Sequence, residues 1–178
     1  MPLRGLRLAR CVACRASLEA CVCDVMPWGL PAPFALHVRM HPNERYRTTN
    51  TGFLAVRALD GALHEGEESV PPAALVLQPG GRALTPEDAG RALVVVDGAW
   101  RQARRLSRRL LTRGHRTVGL PPGPPSRYSL RSGPTPAHLS TLEAVARACA
   151  AVGAPEVAER LEALHATFVR RALAVRGE

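Results

Sequence analysis

Two hydrophobic periods alternate along this 178-residue chain. The densest apolar run is Leu93-Val94-Val95-Val96, with three β-branched residues, and it reads as a buried strand. It stops at Asp97-Gly98. From Trp100 to Thr112 the period changes from 2 to about 3.6, which predicts a helix. Trp100, Ala103, Leu106 and Leu110 fall on one side of it, and Arg101, Arg104, Arg105, Arg108 and Arg109 on the other. Shorter apolar runs at 34–39, 74–77 and 117–120 predict further strands, the second ended by Gln78-Pro79-Gly80-Gly81. Thr49 or Asn50 can cap a helix over 52–59, and Thr85-Pro86-Glu87-Asp88 opens a short one. Ser140-Thr141-Leu142-Glu143 has capping-box spacing and starts a helix running to about Val152. Pro155 starts the last helix, with Val157, Leu161, Leu164 and Phe168 on one face for core or dimer packing. Residues 60–72, acidic and rich in Gly and Pro, read as a surface loop. Strands alternating with helices at this spacing predict an α/β fold, a mainly parallel sheet flanked by helices.

In such a sheet Asp97 stands where ligands bind, in the crevice outside the carboxyl ends of the strands. A carboxylate there can accept hydrogen bonds from a substrate, take a proton or hold a metal; it can equally cap the next helix. The net charge of +9 points to an anionic partner. All 24 basic residues are Arg, and Lys and Ile are absent, which is the mark of a GC-rich genome. Codon bias explains Arg over Lys but not the excess over acids, so a nucleic-acid partner is expected. The arginine stripe Arg101, Arg104, Arg105 and Arg108 gains by counterion release near phosphates; a solvated helix face is the alternative. Arg45, Tyr46 and Arg47 offer further phosphate or RNA contacts, and Asn50 lies in the same polar loop.

Cys11-Val-Ala-Cys14 and Cys21-Val-Cys23 place four thiols within thirteen residues. They can wrap one tetrahedral ion in a closed structural site, and zinc suits four thiolates. The short CxC arm leaves iron open, and a disulfide pair or free thiols are the other readings. A proline-rich joint over 27–33 divides a Cys-rich segment, 1–30, from the main domain, 31–178. Cys149 sits alone in a predicted helix and reads as core packing. No apolar run reaches the ~20 residues of a membrane span, and the start lacks an apolar signal core, so a cytoplasmic location is expected. Neither GxGxxG nor GxxxxGK[ST] is present, so dinucleotide and P-loop chemistry are not indicated.

Asp97-Gly-Ala-Trp100-Arg-Gln-Ala-Arg104 resembles the signature of the DTW-domain proteins. So do the CxxC…CxC start, the Thr49-Asn-Thr-Gly52 loop, the Ser126-Arg-Tyr-Ser-Leu-Arg131 segment and the Leu139-Ser-Thr-Leu-Glu-Ala144 helix start. The resemblance implies a tRNA-uridine aminocarboxypropyltransferase, using S-adenosylmethionine as co-substrate and modifying N3. It implies a fold related to the SPOUT methyltransferases, with a C-terminal trefoil knot forming the cofactor site. The cofactor loops would then be Gln78-Pro79-Gly80, Leu120-Pro121 and Leu139-Ser140-Thr141. Asp97 would be the base, or would hold the cofactor's amino group. Trp100 would cover adenine or the target base, or pack in the core. Arg131 would pair the cofactor carboxylate or an RNA phosphate. The family's middle Thr is Ala99 here, and Thr48 stands where proline is common. A SPOUT-like RNA methyltransferase and a non-catalytic, zinc-bearing RNA-binding protein are the alternative functions.

Overall fold

A computed structural model describes residues 9–65, 70–131, 135 and 138–177. Residues 1–8 of the Cys-rich segment and 66–69 of the loop read over 60–72 lie outside the described residues. Five parallel strands form one sheet in the order β2-β1-β4-β3-β5. These are β1 (Ala35–Met40), β2 (Ala62–His64), β3 (Leu75–Ala83), β4 (Ala92–Asp97) and β5 (Arg116–Gly119). The helices are α1 (Gly52–Ala58), α2 (Trp100–Thr112), α3 (Thr141–Ala151) and α4 (Pro155–Arg176).

The central strand is apolar throughout because both its faces are covered. Leu93 and Val95 join the main core with Leu36, Val38, Leu54, Leu142, Leu161 and Phe168. Val94 points the other way and meets Ala74, Val76 and Leu110 under α2. Two-sided burial of this kind removes the polar alternation of a half-solvated strand. Val157, Leu161, Leu164 and Phe168 are all buried in this core, as is Cys149. The Cys-rich segment adds Cys14, Ala16, Ala20 and Val22 to the same cluster. The Arg171 guanidinium fastens it to α4, donating to both Asp24 carboxylate oxygens at 2.7 Å and to the Cys21 carbonyl.

Three local readings are corrected. Residues 60–72 are not all loop, since Ala62–His64 pair with His37–Arg39 as an edge strand. Three residues are too few to show a period. The helix predicted at Thr85 is a single 3₁₀ turn, Pro86–Asp88, held by a bidentate Arg82–Asp88 pair at 2.7 and 2.6 Å. Gln78-Pro79-Gly80-Gly81 does not end β3. It is an excursion, after which Arg82 and Ala83 pair with Val118 and Gly119. A Cβ on Gly81 would come within 2.5 Å of the Val118 carbonyl carbon, so the excursion lies backbone against backbone on β5.

Helix α2 covers the predicted range, with Leu106 and Leu110 buried and Arg101, Arg104, Arg105 and Arg108 exposed. Its N-cap is Ala99, whose extended backbone (φ −58°, ψ 149°) suits a cap but whose side chain cannot accept a bond. Only the return half of a capping box is present, with the Ala99 N–H donating to Gln102 Oε1 at 3.1 Å. The Thr of the resembling family would sit at this cap. Ala99→Thr should therefore stabilise the fold by about 1 kcal/mol through the missing side-chain bond, read as a raised urea midpoint at unchanged slope.

Candidate functional site

The sheet topology selects one crevice. The connection from β1 leads outward to β2, and that from β4 leads the opposite way to β5. Adjacent strands whose connections diverge form a switch point, where ligands enter open parallel sheets. Met40 pairs with Asp97 at this point, and the His41 N–H donates to the Asp97 carbonyl at 2.8 Å.

The Asp97 side chain is 5% exposed. Its Oδ1 accepts from the Thr141 hydroxyl and its Oδ2 from the Asn50 amide, each at 2.5 Å. Burial pushes its carboxyl above the usual range, and these two bonds only partly offset that. Asn50 also reaches Glu44 Oε2 at 3.3 Å, and its Oδ1 accepts the Phe53 N–H at 3.0 Å to open α1. The N-cap position of α1 is Thr51, not Thr49 or Asn50, and Thr51 makes no side-chain cap bond; Asn50, one residue earlier, supplies the side-chain bond to the helix start instead. Thr51 ties α1 to α3, its hydroxyl accepting the Leu142 N–H at 3.3 Å. A Cβ on Gly52 would lie 2.9 Å from Asp97 Cγ, so only glycine lets the loop close over the carboxylate.

A second ring surrounds the first. Arg131 donates to Glu44 Oε2 at 2.7 Å and to the Thr49 hydroxyl at 3.0 Å. The Tyr128 hydroxyl donates to the Thr49 carbonyl at 2.6 Å. Glu143 accepts from Ser126 and from the N–H groups of Arg127 and Ser140, each at 2.7 Å. Burial alone would raise its carboxyl, but these donors outweigh burial and hold it below the usual range. The Asp97, Thr49–Gly52, Ser126–Arg131 and Leu139–Glu143 segments thereby meet around one carboxylate. Glu44, Tyr128 and Glu143 were missed as site residues by the sequence reading. An acid inside the basic stretch Asn43-Glu44-Arg45-Tyr46-Arg47 was the one local sign of Glu44.

The predicted residues do not all face ligands. Asn50 is 4% exposed and its amide is turned inward to Asp97 and Glu44. Arg131 likewise holds Glu44 and Thr49. Arg45 pairs with Glu65 at 2.6 Å, whereas Arg47 is exposed. Of the three loops expected to hold a cofactor, Gln78-Pro79-Gly80 and Leu120-Pro121 are brought together through Gly81 and Gly119. A Cβ on Gly119 would lie 2.7 Å from the Gly81 carbonyl oxygen. Thr141 reaches the crevice through Asp97, Leu139 is half-buried, and Ser140 caps α3 with its hydroxyl accepting the Glu143 N–H at 3.3 Å. Trp100 is 37% exposed at the rim of the crevice rather than in the core. The His138 ring packs edge-on against it, with centroids 4.0 Å apart.

The four cysteines Cys11, Cys14, Cys21 and Cys23 gather with all sulfurs within 4.8 Å of one another. The Cys11–Cys23 and Cys14–Cys21 sulfurs are 3.4 and 3.8 Å apart. Four thiolates ~2.3 Å from a tetrahedral ion are ~3.8 Å apart, so the donor set fits one such ion. The N–H groups of Cys14 and Ala13 pull the Cys11 thiol down to about 6, whereas burial pushes Cys14 and Cys23 up. A bound metal would replace the retained protons.

An all-parallel α/β sheet with a switch-point crevice and an attached four-cysteine knuckle defines the class of this protein. The DTW domain model matches residues 8–173, and the chain belongs to the DTW domain family. No curated protein sequence gives a match. Among solved structures, the chain is similar to the SAM-dependent rRNA:acp-transferase Tsr3 from Vulcanisaeta distributa. The identity is 23% and the TM-score 0.61, over 82% of this chain and 79% of that one. Among the described residues no helix is long and apolar enough to cross a membrane.

Metal analysis of the purified protein should find about one metal ion per chain, the stoichiometry of a closed four-thiolate site. Cys14→Ser should abolish it, and loss of packing around Cys14 should lower the urea midpoint as well.

Proposed function

We propose that this protein transfers the 3-amino-3-carboxypropyl group of S-adenosylmethionine to N3 of a tRNA uridine. The product besides the modified uridine is methylthioadenosine. The observation that carries the reading is the convergence of the family's motif segments on the Asp97 crevice, at the ligand-binding edge of the sheet. Its support from outside the chain is family membership and the structural likeness to an rRNA acp-transferase. The trefoil knot and the zinc of the knuckle belong to the same reading.

The cofactor's sulfonium makes the methylene of its amino-acid arm electrophilic. A bond forms between N3 and that carbon, the carbon–sulfur bond breaks, and its electron pair stays on the neutral thioether. The site fits a cationic ligand, because Glu44 and Asp97 are two buried carboxylates beside one guanidinium, Arg131. A ligand carrying positive charge relieves that imbalance and favours the ionised form of Asp97.

The expected role of Asp97 as base is revised by its surroundings. A base needs hydrogen-bond reach to the proton it takes, and Asp97 is covered by Asn50, Thr141 and Gly52. It acts as a positioning residue that fixes Thr141 and the α1 and α3 N-termini. The N3 proton leaves to solvent at the rim. The substrate's phosphates meet the exposed face of α2, with Arg101, Arg104, Arg105 and Arg108, and also Arg47. Ala99, the one hint of a decayed enzyme, stands at a helix cap and leaves the Asp97 ring complete.

Purified protein, S-adenosylmethionine and unmodified tRNA, with rRNA in parallel, should yield methylthioadenosine and acp-uridine in equal amounts from tRNA. S-adenosylhomocysteine would instead identify a methyltransferase. Asp97→Asn replaces one acceptor oxygen by a donor that faces Thr141 or Asn50, so cofactor affinity and turnover should fall together. A base would lose turnover alone, by about 10²- to 10⁴-fold at saturating cofactor.

A further inference from the structure

We propose that His138 is the residue that recognises the acceptor base, donating from Nε2–H to the O4 carbonyl oxygen of uracil. The proposal rests on the transferase reading for its chemistry. Its evidence is the way the imidazole is held.

The Thr135 backbone N–H donates to His138 Nδ1 at 3.0 Å, and the Thr135 hydroxyl lies 2.6 Å from the same nitrogen. A backbone N–H can only donate, so Nδ1 is the acceptor and the ring proton sits on Nε2. The Thr135 carbonyl, 3.2 Å from Nδ1, is the weaker contact. The His138 N–H in turn donates to that carbonyl at 3.0 Å. Among the described residues Nε2 has no hydrogen-bond partner.

The ring is also fixed in place. It meets Trp100 at an interplanar angle of 71°. Trp100 follows Asp97 by three residues, and His138 precedes Thr141 by three. The Thr141–Asp97 bond of 2.5 Å therefore joins the same two segments that the Trp100–His138 contact joins. The first joint is part-buried and the second involves the 37% exposed Trp100, so the half-buried His138 lies on the solvent side of the contact between these segments. With Nδ1 held by Thr135 and the ring face held by Trp100, Nε2–H is the ring's remaining polar group and the one a ligand at the rim would meet.

Uracil matches this donor. Its N3–H lies between two carbonyl oxygens, O2 and O4, and both accept. When N3 loses its proton and attacks, the negative charge spreads onto those oxygens, where a preorganised donor stabilises it. Cytosine presents an amino donor in place of O4, so a donor-only group facing that edge is left unpaired. Such a mismatch discriminates more strongly than shape does. His138 thus favours uridine over cytidine and assists the attack with one hydrogen bond.

The test uses the full-length protein with S-adenosylmethionine, short oligouridylate and oligocytidylate, and the variants His138→Ala and His138→Gln. Wild type should bind oligouridylate about 3- to 10-fold more tightly than oligocytidylate, the worth of one net hydrogen bond. His138→Ala should erase the preference, and His138→Gln, which keeps a donor, should retain most of it. Cofactor affinity and urea midpoint should be unchanged in both. An Ala variant that keeps the preference overturns the proposal. So does one that loses affinity for both oligonucleotides equally, which would make His138 a phosphate contact. Methylthioadenosine formation by the wild type is scored separately. Its absence, with the preference present and lost on His138→Ala, would end the transferase reading and leave base recognition standing.

Discussion

Asp97 accepts one hydrogen bond on each carboxylate oxygen, from residues 47 positions before it and 44 after it in the chain. Those two bonds join the C-terminal end of the central strand to the loop entering α1 and to the first turn of α3. A buried carboxylate with its partners in place specifies one arrangement, and the same carboxylate missing a partner is costly, on the order of 1–3 kcal/mol. The site therefore has little freedom to be half-assembled. Gly52 shows the same constraint from the other side, since any side chain there would collide with Asp97.

The outer ring makes that arrangement stiff. Glu44, Arg131, Thr49 and Tyr128 bind the loop after β1 to the segment after β5, and Glu143 binds that segment to α3. The knuckle reaches the same loop, because Arg10 donates to the Arg45 carbonyl at 3.0 Å and to the Tyr46 carbonyl. The four-cysteine knuckle and the crevice are thus mechanically connected. The helix carrying the exposed arginine face begins three residues after Asp97, so that face and the crevice share one rigid origin.

The strands and helices with strong apolar periodicity were legible from the chain, since β4, α2, α3 and α4 each bury a continuous stripe. β2 was not, because its three residues gain their place only by pairing with β1. The β3 excursion was misread because Gln78-Pro79-Gly80-Gly81 has the chemistry of a strand end, while its true partner, Val118-Gly119, is distant in sequence. At the site, position was legible but environment was not. Periodicity placed Asp97 at a strand end. It could not show that Asn50 and Arg131, read as RNA contacts, are turned inward to hold carboxylates. Such partners lie tens of residues apart, and Arg131 and Glu44 are separated by 87.

The most direct test of this account is a double-mutant cycle on Asn50→Ala and Thr141→Ala, read by urea unfolding and repeated in an Asp97→Ala background. Asn50 and Thr141 share Asp97 as a hydrogen-bond partner, and the Thr51–Leu142 bond is the neighbouring link between their segments, so the Asp97→Ala background isolates the part of the coupling that Asp97 carries. The account predicts a coupling of about 0.5–3 kcal/mol that disappears when Asp97 is removed. Additive effects, within about 0.3–0.5 kcal/mol, or a coupling that survives in Asp97→Ala, would contradict it.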